Sequence, residues 1–179
     1  GPLRRVLVEF AEDPVAITGA VLLALIVLAA LFAPWLSPQN PYDLAQLDVM
    51  DGKLPPGARS ATGQLFWLGT DDQGRDMLSA ILYGIRISLA VGVASGVLAM
   101  MLGASMGLIA AYFGGRVDTF IMRVVDLQLS FPAILLALIL VAVLGQGIDK
   151  IIIALVAVQW AYYARTIRGT ALVERRKEY

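Results

Sequence analysis

ISLAVGVASGVLAMMLGASMGLIAAYF, residues 87–113, is 27 residues long and carries no charge. A helix needs about 20 apolar residues to cross the hydrocarbon core of a bilayer, so this stretch predicts a spanning helix with room for tilt. Two pairs of glycines, Gly92 with Gly96 and Gly103 with Gly107, repeat at a spacing of four. Small residues at that spacing let a second helix approach closely where lipid supplies no hydrophobic drive for association, and they predict a packing seam. The same stretch contains GASMG, residues 103–107, which fits the serine hydrolase elbow pattern Gly-x-Ser-x-Gly. That elbow needs a strand, a sharp turn and a histidine to take the serine proton, and the chain has no histidine. An intramembrane hydrolase using Ser105 therefore stands as an alternative from another functional class, and a membrane scaffold subunit with no transport path as a third.

Three further apolar runs flank this one. Val15–Leu36 is uncharged over 22 residues, longer than the roughly 7–15 apolar residues of a secretory signal, and Pro34 sits where cleavage would fall. Leu127–Gly145 contains Pro132, which removes a backbone donor and predicts a kink unless Ser130 or a neighbouring helix satisfies the freed carbonyl. Ile151–Ala164 is 14 residues, about 21 Å of helix, and must borrow length from Ile148 and from Lys150 and Arg165 snorkelling at its flanks. Trp160, Tyr162 and Tyr163 suit the aromatic belt at the membrane interface. With 59% hydrophobic residues, 16% charged residues and a mean hydropathy of +0.76, the chain reads as an all-α polytopic membrane bundle with four spans. Its expected organisation is a cytoplasmic N-terminus and first span over residues 1–36, an outer loop over 37–83 that is exposed and irregular over 37–67, and a three-span core with a cytoplasmic tail over 84–179.

Charge narrows the function classes. Lys+Arg and Asp+Glu balance at 14 each, so nothing points to nucleic acid. Without Cys or His the usual zinc sets and the commonest general base are missing, and no phosphate-binding Gly-x-x-x-x-Gly-Lys-[Ser/Thr] loop is present. No cofactor, metal or catalytic residue is expected. The basic residues are unequally placed around four spans. Arg4, Arg5, Arg116, Arg123, Arg165, Arg168, Arg175, Arg176 and Lys177 fall on one side, against Lys53, Arg59, Arg75 and Lys150 on the other. The positive-inside rule makes the first side cytoplasmic. The Gly-Pro opening and the RRKEY ending suggest a piece of a longer protein.

LGTDDQGRDMLSAILYGIRISL, residues 68–89, sets polar groups at the mouth of the second span, on the outer face. Asp71 or Asp72 is expected to cap the helix carrying MLSAILYG, Gly69 and Gly74 to permit tight backbone beside Thr70, and Arg75 to pair with Asp76 or a neighbouring aspartate. Asp126 follows Arg123 by three residues, at helical spacing for a pair. Gln128, Ser130 and Gln159 either line a path or join helices.

This outer motif resembles the signature of inner-membrane permease subunits of binding-protein-dependent ABC importers for dipeptides, oligopeptides and nickel, closest to the type with one N-terminal span and a shorter outer loop. YFGGRVDTFIMRVVDLQLSFPAILLALIL, residues 112–140, resembles the next stretch of that core, with its Gly-Gly turn, Met-Arg and in-span Pro. ARTIRGTALVERRKEY, containing Arg165, Arg168, Glu174, Arg175, Arg176, Glu178 and Tyr179, resembles the approach to the family's cytoplasmic coupling loop. The resemblance implies a multi-pass subunit of a bacterial or archaeal plasma membrane. It also implies a second permease subunit forming a heterodimer, two cytoplasmic ATP-binding subunits and an extracytoplasmic solute-binding protein. Ala80 departs from it, standing where a basic residue is expected.

Overall fold

The structure, a computed structural model, describes residues 8–177, the side chains of Arg176 and Lys177 excepted. Arg4, Arg5, Glu178 and Tyr179 lie outside the described residues. The chain divides into two compact units, one up to Leu89 and one from Ala90.

In the first unit, helix α1 spans Pro14–Leu36. Asp13 caps it, its carboxylate accepting from the Val15 amide at 2.9 Å, and Pro14 occupies the first turn where its missing N–H costs nothing. Nearly all of its large side chains are exposed, as a lipid-facing helix requires. The segment that follows is largely irregular, as its Pro and Gly content predicts, with short ordered pieces inside it. Asp43 and Asp48 cap two short 3-10 turns, Leu44–Gln46 and Val49–Asp51, by accepting from Ala45 N and Met50 N. Strands β1 (Ala58–Arg59) and β2 (Leu65–Phe66) then pair antiparallel, Ala58 opposite Phe66 and Arg59 opposite Leu65. The Ser60 hydroxyl ties their connection by accepting from Thr62 N and Gln64 N. Phe66 is this segment's one fully buried large apolar side chain among the described residues, so paired polar groups rather than an apolar core hold it in shape.

Helix α2 covers Met77–Phe113, 37 residues or about 55 Å, nearly twice the hydrocarbon thickness of roughly 30 Å. The uncharged run from Ile87 begins ten residues inside it. The second unit holds the rest: α3 (Gly115–Leu129), α4 (Ala133–Leu144) and α5 (Ile148–Lys177). Pro132 does more than kink a span. The chain bends by 89° between α3 and α4, because Pro132 is extended at φ −60°, ψ 121° and its ring disfavours helical backbone at Phe131. Among the described residues two helices, α1 and α2, are long and apolar enough to cross a membrane, giving three spans if the bent α3–α4 pair is one. The expected fourth crossing, α5, does not reach that standard, since Asp149, Lys150, Arg165 and Arg168 bracket its apolar run.

Helix α5 is the spine of the second unit. Ala154, Val158, Ala161 and Ala164 recur on one face and are buried, the last two completely. Ala161 and Ala164 meet Ile121 and Val125 of α3 and Ala110 of α2, with Met106, Met122, Leu129 and Trp160 around them.

Candidate functional site

Residues 69–76 fold into a tight polar knot. The Asp71 carboxylate accepts from the amides of Gln73 at 2.8 Å and Arg75 at 2.9 Å, closing its own turn rather than capping α2. The helix cap is Asp76, fully buried, which accepts from Ser79 N at 2.8 Å and Ser79 Oγ at 2.5 Å. Asp72 is exposed. The expectation for Asp71 or Asp72 as cap is thus displaced four or five residues along the chain, since α2 begins only at Met77. Among the described residues no ion pair joins Arg75 to an aspartate. Thr70 bridges backbone instead, donating to Asp51 O at 2.5 Å and accepting from Leu54 N at 2.8 Å. Gly69 and Gly74 have φ of +76° and +77°, and a Cβ on either would strike the carbonyl oxygen of Leu54 or Asp48. Gln39, which the sequence reading passed over, fastens the knot from below. Its amide nitrogen donates to Gln46 O at 2.8 Å and its amide oxygen accepts from Asp76 N at 2.7 Å.

In the second unit the two glycine pairs separate. A Cβ on Gly103 would press on the Trp160 carbonyl and lie 2.5 Å from Tyr163 Cβ, and one on Gly107 would lie 2.6 Å from Ala164 O. These glycines let α2 and α5 touch backbone to backbone. Gly92 and Gly96 meet nothing within 4 Å. Ser105 is exposed in mid-helix with its hydroxyl donating to Met101 O at 2.7 Å, so GASMG is unbroken helix and not a strand-to-helix elbow.

Gln128 joins helices. Its amide nitrogen donates to Ala157 O at 2.6 Å and Val158 O at 3.1 Å, and its oxygen accepts from Trp160 Nε1 at 2.8 Å. Ser130 Oγ donates to Asp126 O at 2.7 Å beside the Pro132 break. Gln159 lines an open groove of 420 Å³ on α5 with Tyr162, Tyr163, Thr166 and Ile167. Asp126 pairs not with Arg123 but with Arg165 of α5, because helical spacing makes a pair possible without deciding which of two arginines is nearer. Arg168 forks onto both oxygens of Asp118, and Arg175 donates to Ala111 O at 3.3 Å. Two of the arginines expected near the coupling approach are therefore engaged in tying α5 to α3. Glu174 lies in the last turns of α5. Asp118 sits ahead of the apolar run, and its hydrogen bond from Arg168 holds its carboxyl below the ordinary carboxylate range against the opposing effect of partial burial.

These two pairs should differ in worth. Asp118 and Arg168 are 21% and 29% exposed, whereas Asp126 and Arg165 are 65% and 52% exposed. Asp118→Asn should cost about 1.5–3 kcal/mol, a melting temperature drop of roughly 4–10 °C, and Asp126→Asn under about 1 kcal/mol. Thermal unfolding of the purified protein measures both, and swapping the charges as Asp118→Arg with Arg168→Asp should regain part of the loss.

Residues 99–179 match the family of binding-protein-dependent transport system inner membrane components, and residues 1–56 match the N-terminal TM domain of oligopeptide transport permease C. This chain belongs to the inner-membrane permeases of binding-protein-dependent transport systems. It is 37% identical over 179 residues to the di/tripeptide transport system permease protein of Pseudomonas aeruginosa, covering 99% of this chain and 58% of that permease. It is 36% identical to the glutathione transport system permease protein of Pectobacterium atrosepticum, covering 99% and 56%. To the oligopeptide transport system permease protein of Bacillus subtilis it is 35% identical, covering 97% and 54%. The chain spans about half the length of these permeases. Their names carry peptides and glutathione and give no support to the nickel expected beside them.

Proposed function

We propose that this chain supplies the first half of a permease subunit in a peptide-transporting ABC importer, where it forms part of the solute path and moves by alternating access. The observation that carries this reading is the ordered match of residues 1–56 and 99–179 to permease families, the backbone-to-backbone packing of α2 on α5 falling within the second stretch. Without a phosphate-binding loop in the sequence, ATP chemistry comes in trans from two cytoplasmic ATP-binding subunits, and a second permease subunit and an extracytoplasmic binding protein complete the assembly. The excess of basic residues beside α3 and the end of α5 supports a topology with those segments and the N-terminus in the cytoplasm and residues 37–83 outside. In this topology α5 is the fourth span, its flanking charges snorkelling to the interfaces.

Uptake of a radiolabelled dipeptide or tripeptide by cells lacking the gene tests the reading. Uptake should fall at least tenfold and return with the gene, while uptake of free amino acids is unchanged; unchanged peptide uptake in the deletion strain refutes it. Ser105→Ala should restore uptake to within about twofold of the native protein, because its hydroxyl serves only the Met101 carbonyl.

A further inference from the structure

Helix α3 is amphipathic in an unusual way, and its charges are sorted by sign. Its two acids, Asp118 and Asp126, are paired with Arg168 and Arg165 of α5. Its arginines, Arg116 and Arg123, are exposed and make no ion pair among the described residues. At 100° per residue Arg116, Phe120, Arg123 and Leu127 fall within an arc of about 60°. Phe120 is 70% and Leu127 63% exposed, while Val125 and Ile121, on the far side of the helix, are 0% and 5% exposed. The 89° break at Pro132 sets α3 perpendicular to α4, whose 12 residues carry no charge. In the proposed topology the bent pair crosses as one span, with α4 inside the bilayer and the charged turns of α3 from Arg116 at its inner surface.

From this placement we infer that the Arg116, Phe120, Arg123, Leu127 stripe binds the headgroups of anionic phospholipids. The inference rests on the topology proposed above, which puts α3 at the inner leaflet. An interfacial helix sinks its apolar side chains about 5–10 Å into the boundary between headgroups and acyl chains. Phe120 and Leu127 occupy that depth, and the guanidinium groups on either side of Phe120 reach the phosphates, whose negative charge complements the two unpaired arginines. A protein-docking patch gathers its apolar residues at the centre and its charges at the rim, whereas here they alternate along one line, as a lipid surface accepts. Pairing both acids with arginines of α5 offsets the charge on α3 that would repel an anionic headgroup.

Purified protein in a mild detergent is titrated with phosphatidylglycerol or with phosphatidylcholine while its melting temperature is followed. Phosphatidylglycerol should raise the melting temperature selectively, and Arg116→Gln with Arg123→Gln should weaken its apparent affinity roughly 30-fold. No selectivity, or equal selectivity in the double variant, overturns the proposal. As the chain has no cysteine, Phe120→Cys carries a single spin label with both arginines intact. In phosphatidylglycerol bilayers that label should be relaxed by dissolved oxygen and little affected by an aqueous nickel chelate. Shielding from both reagents means that a protein partner covers the stripe, and free access to the chelate means that water does; either result sinks the inference. The topology is read separately. If a cysteine at Thr170 reacts from outside in spheroplasts while lipid selectivity persists, the topology fails and the stripe stands.

Discussion

Gly103→Leu should abolish the packing of α2 on α5 and lower the melting temperature by about 10 °C or more, or prevent accumulation of folded protein altogether. Even one added carbon at this position meets the Trp160 carbonyl and the Ala164 amide nitrogen, which are backbone atoms of a helix and cannot rotate aside. Overpacking a filled interior costs about 1–3 kcal/mol where side chains can yield, and here the helices themselves must separate. That separation would strip Ala161 and Ala164 of their packing against Ala110 and Met106 of α2. Gly92→Leu and Gly96→Leu, where nothing lies within 4 Å, should stay within about 0.5 kcal/mol of the native protein. Fluorescence-detected size-exclusion after heating ranks all three variants. Equal effects at Gly92 and Gly103 would contradict the α2–α5 contact.

Asp76→Ala should have the second largest effect, a loss of about 2–4 kcal/mol. It removes the N-cap of a 37-residue helix and leaves the buried Ser79 hydroxyl without its acceptor. Asp76→Asn, which keeps an acceptor oxygen, should recover at least half of the loss. Asp72→Ala should be neutral, and Asp71→Ala should cost about 1 kcal/mol by loosening a single turn. Chemical denaturation of the four variants gives the order, and a larger loss at Asp71 than at Asp76 would contradict the assignment of the cap.

The apolar runs were legible because hydrocarbon demands long uncharged helices, and α1 and α2 follow directly from Val15–Leu36 and Ile87–Phe113. Gly103 and Gly107 were legible as a seam by spacing, yet the same spacing also marked Gly92 and Gly96, since a one-dimensional pattern does not say which side of a helix has a neighbour. The break at Pro132 was legible as a kink but not as a right angle, because its size depends on the extended conformation of Pro132 and on how α3 packs against α5. The short ordered pieces of the outer segment have no such signal. Its Pro and Gly residues mark turns, but its order comes from Gln39, Thr70 and Ser60 reaching backbone groups 4 to 37 residues away, contacts with no local signature. The partner of Asp126 is hidden for a similar reason: pairing within one helix is visible in sequence, while a partner 39 residues on is visible only in the fold.

Whether α4 and α5 cross the membrane decides between four spans and two, and a cysteine at Gln146 reads it directly. Gln146 is exposed and lies between the two helices. In the four-span arrangement Gln146→Cys faces outward and should react with an impermeant maleimide in intact spheroplasts, as Ala61→Cys does, while Thr170→Cys should react only after lysis. Labelling of Gln146→Cys only after lysis, with Ala61→Cys still labelled from outside, would show that α4 and α5 turn back without crossing and would contradict the four-span permease core.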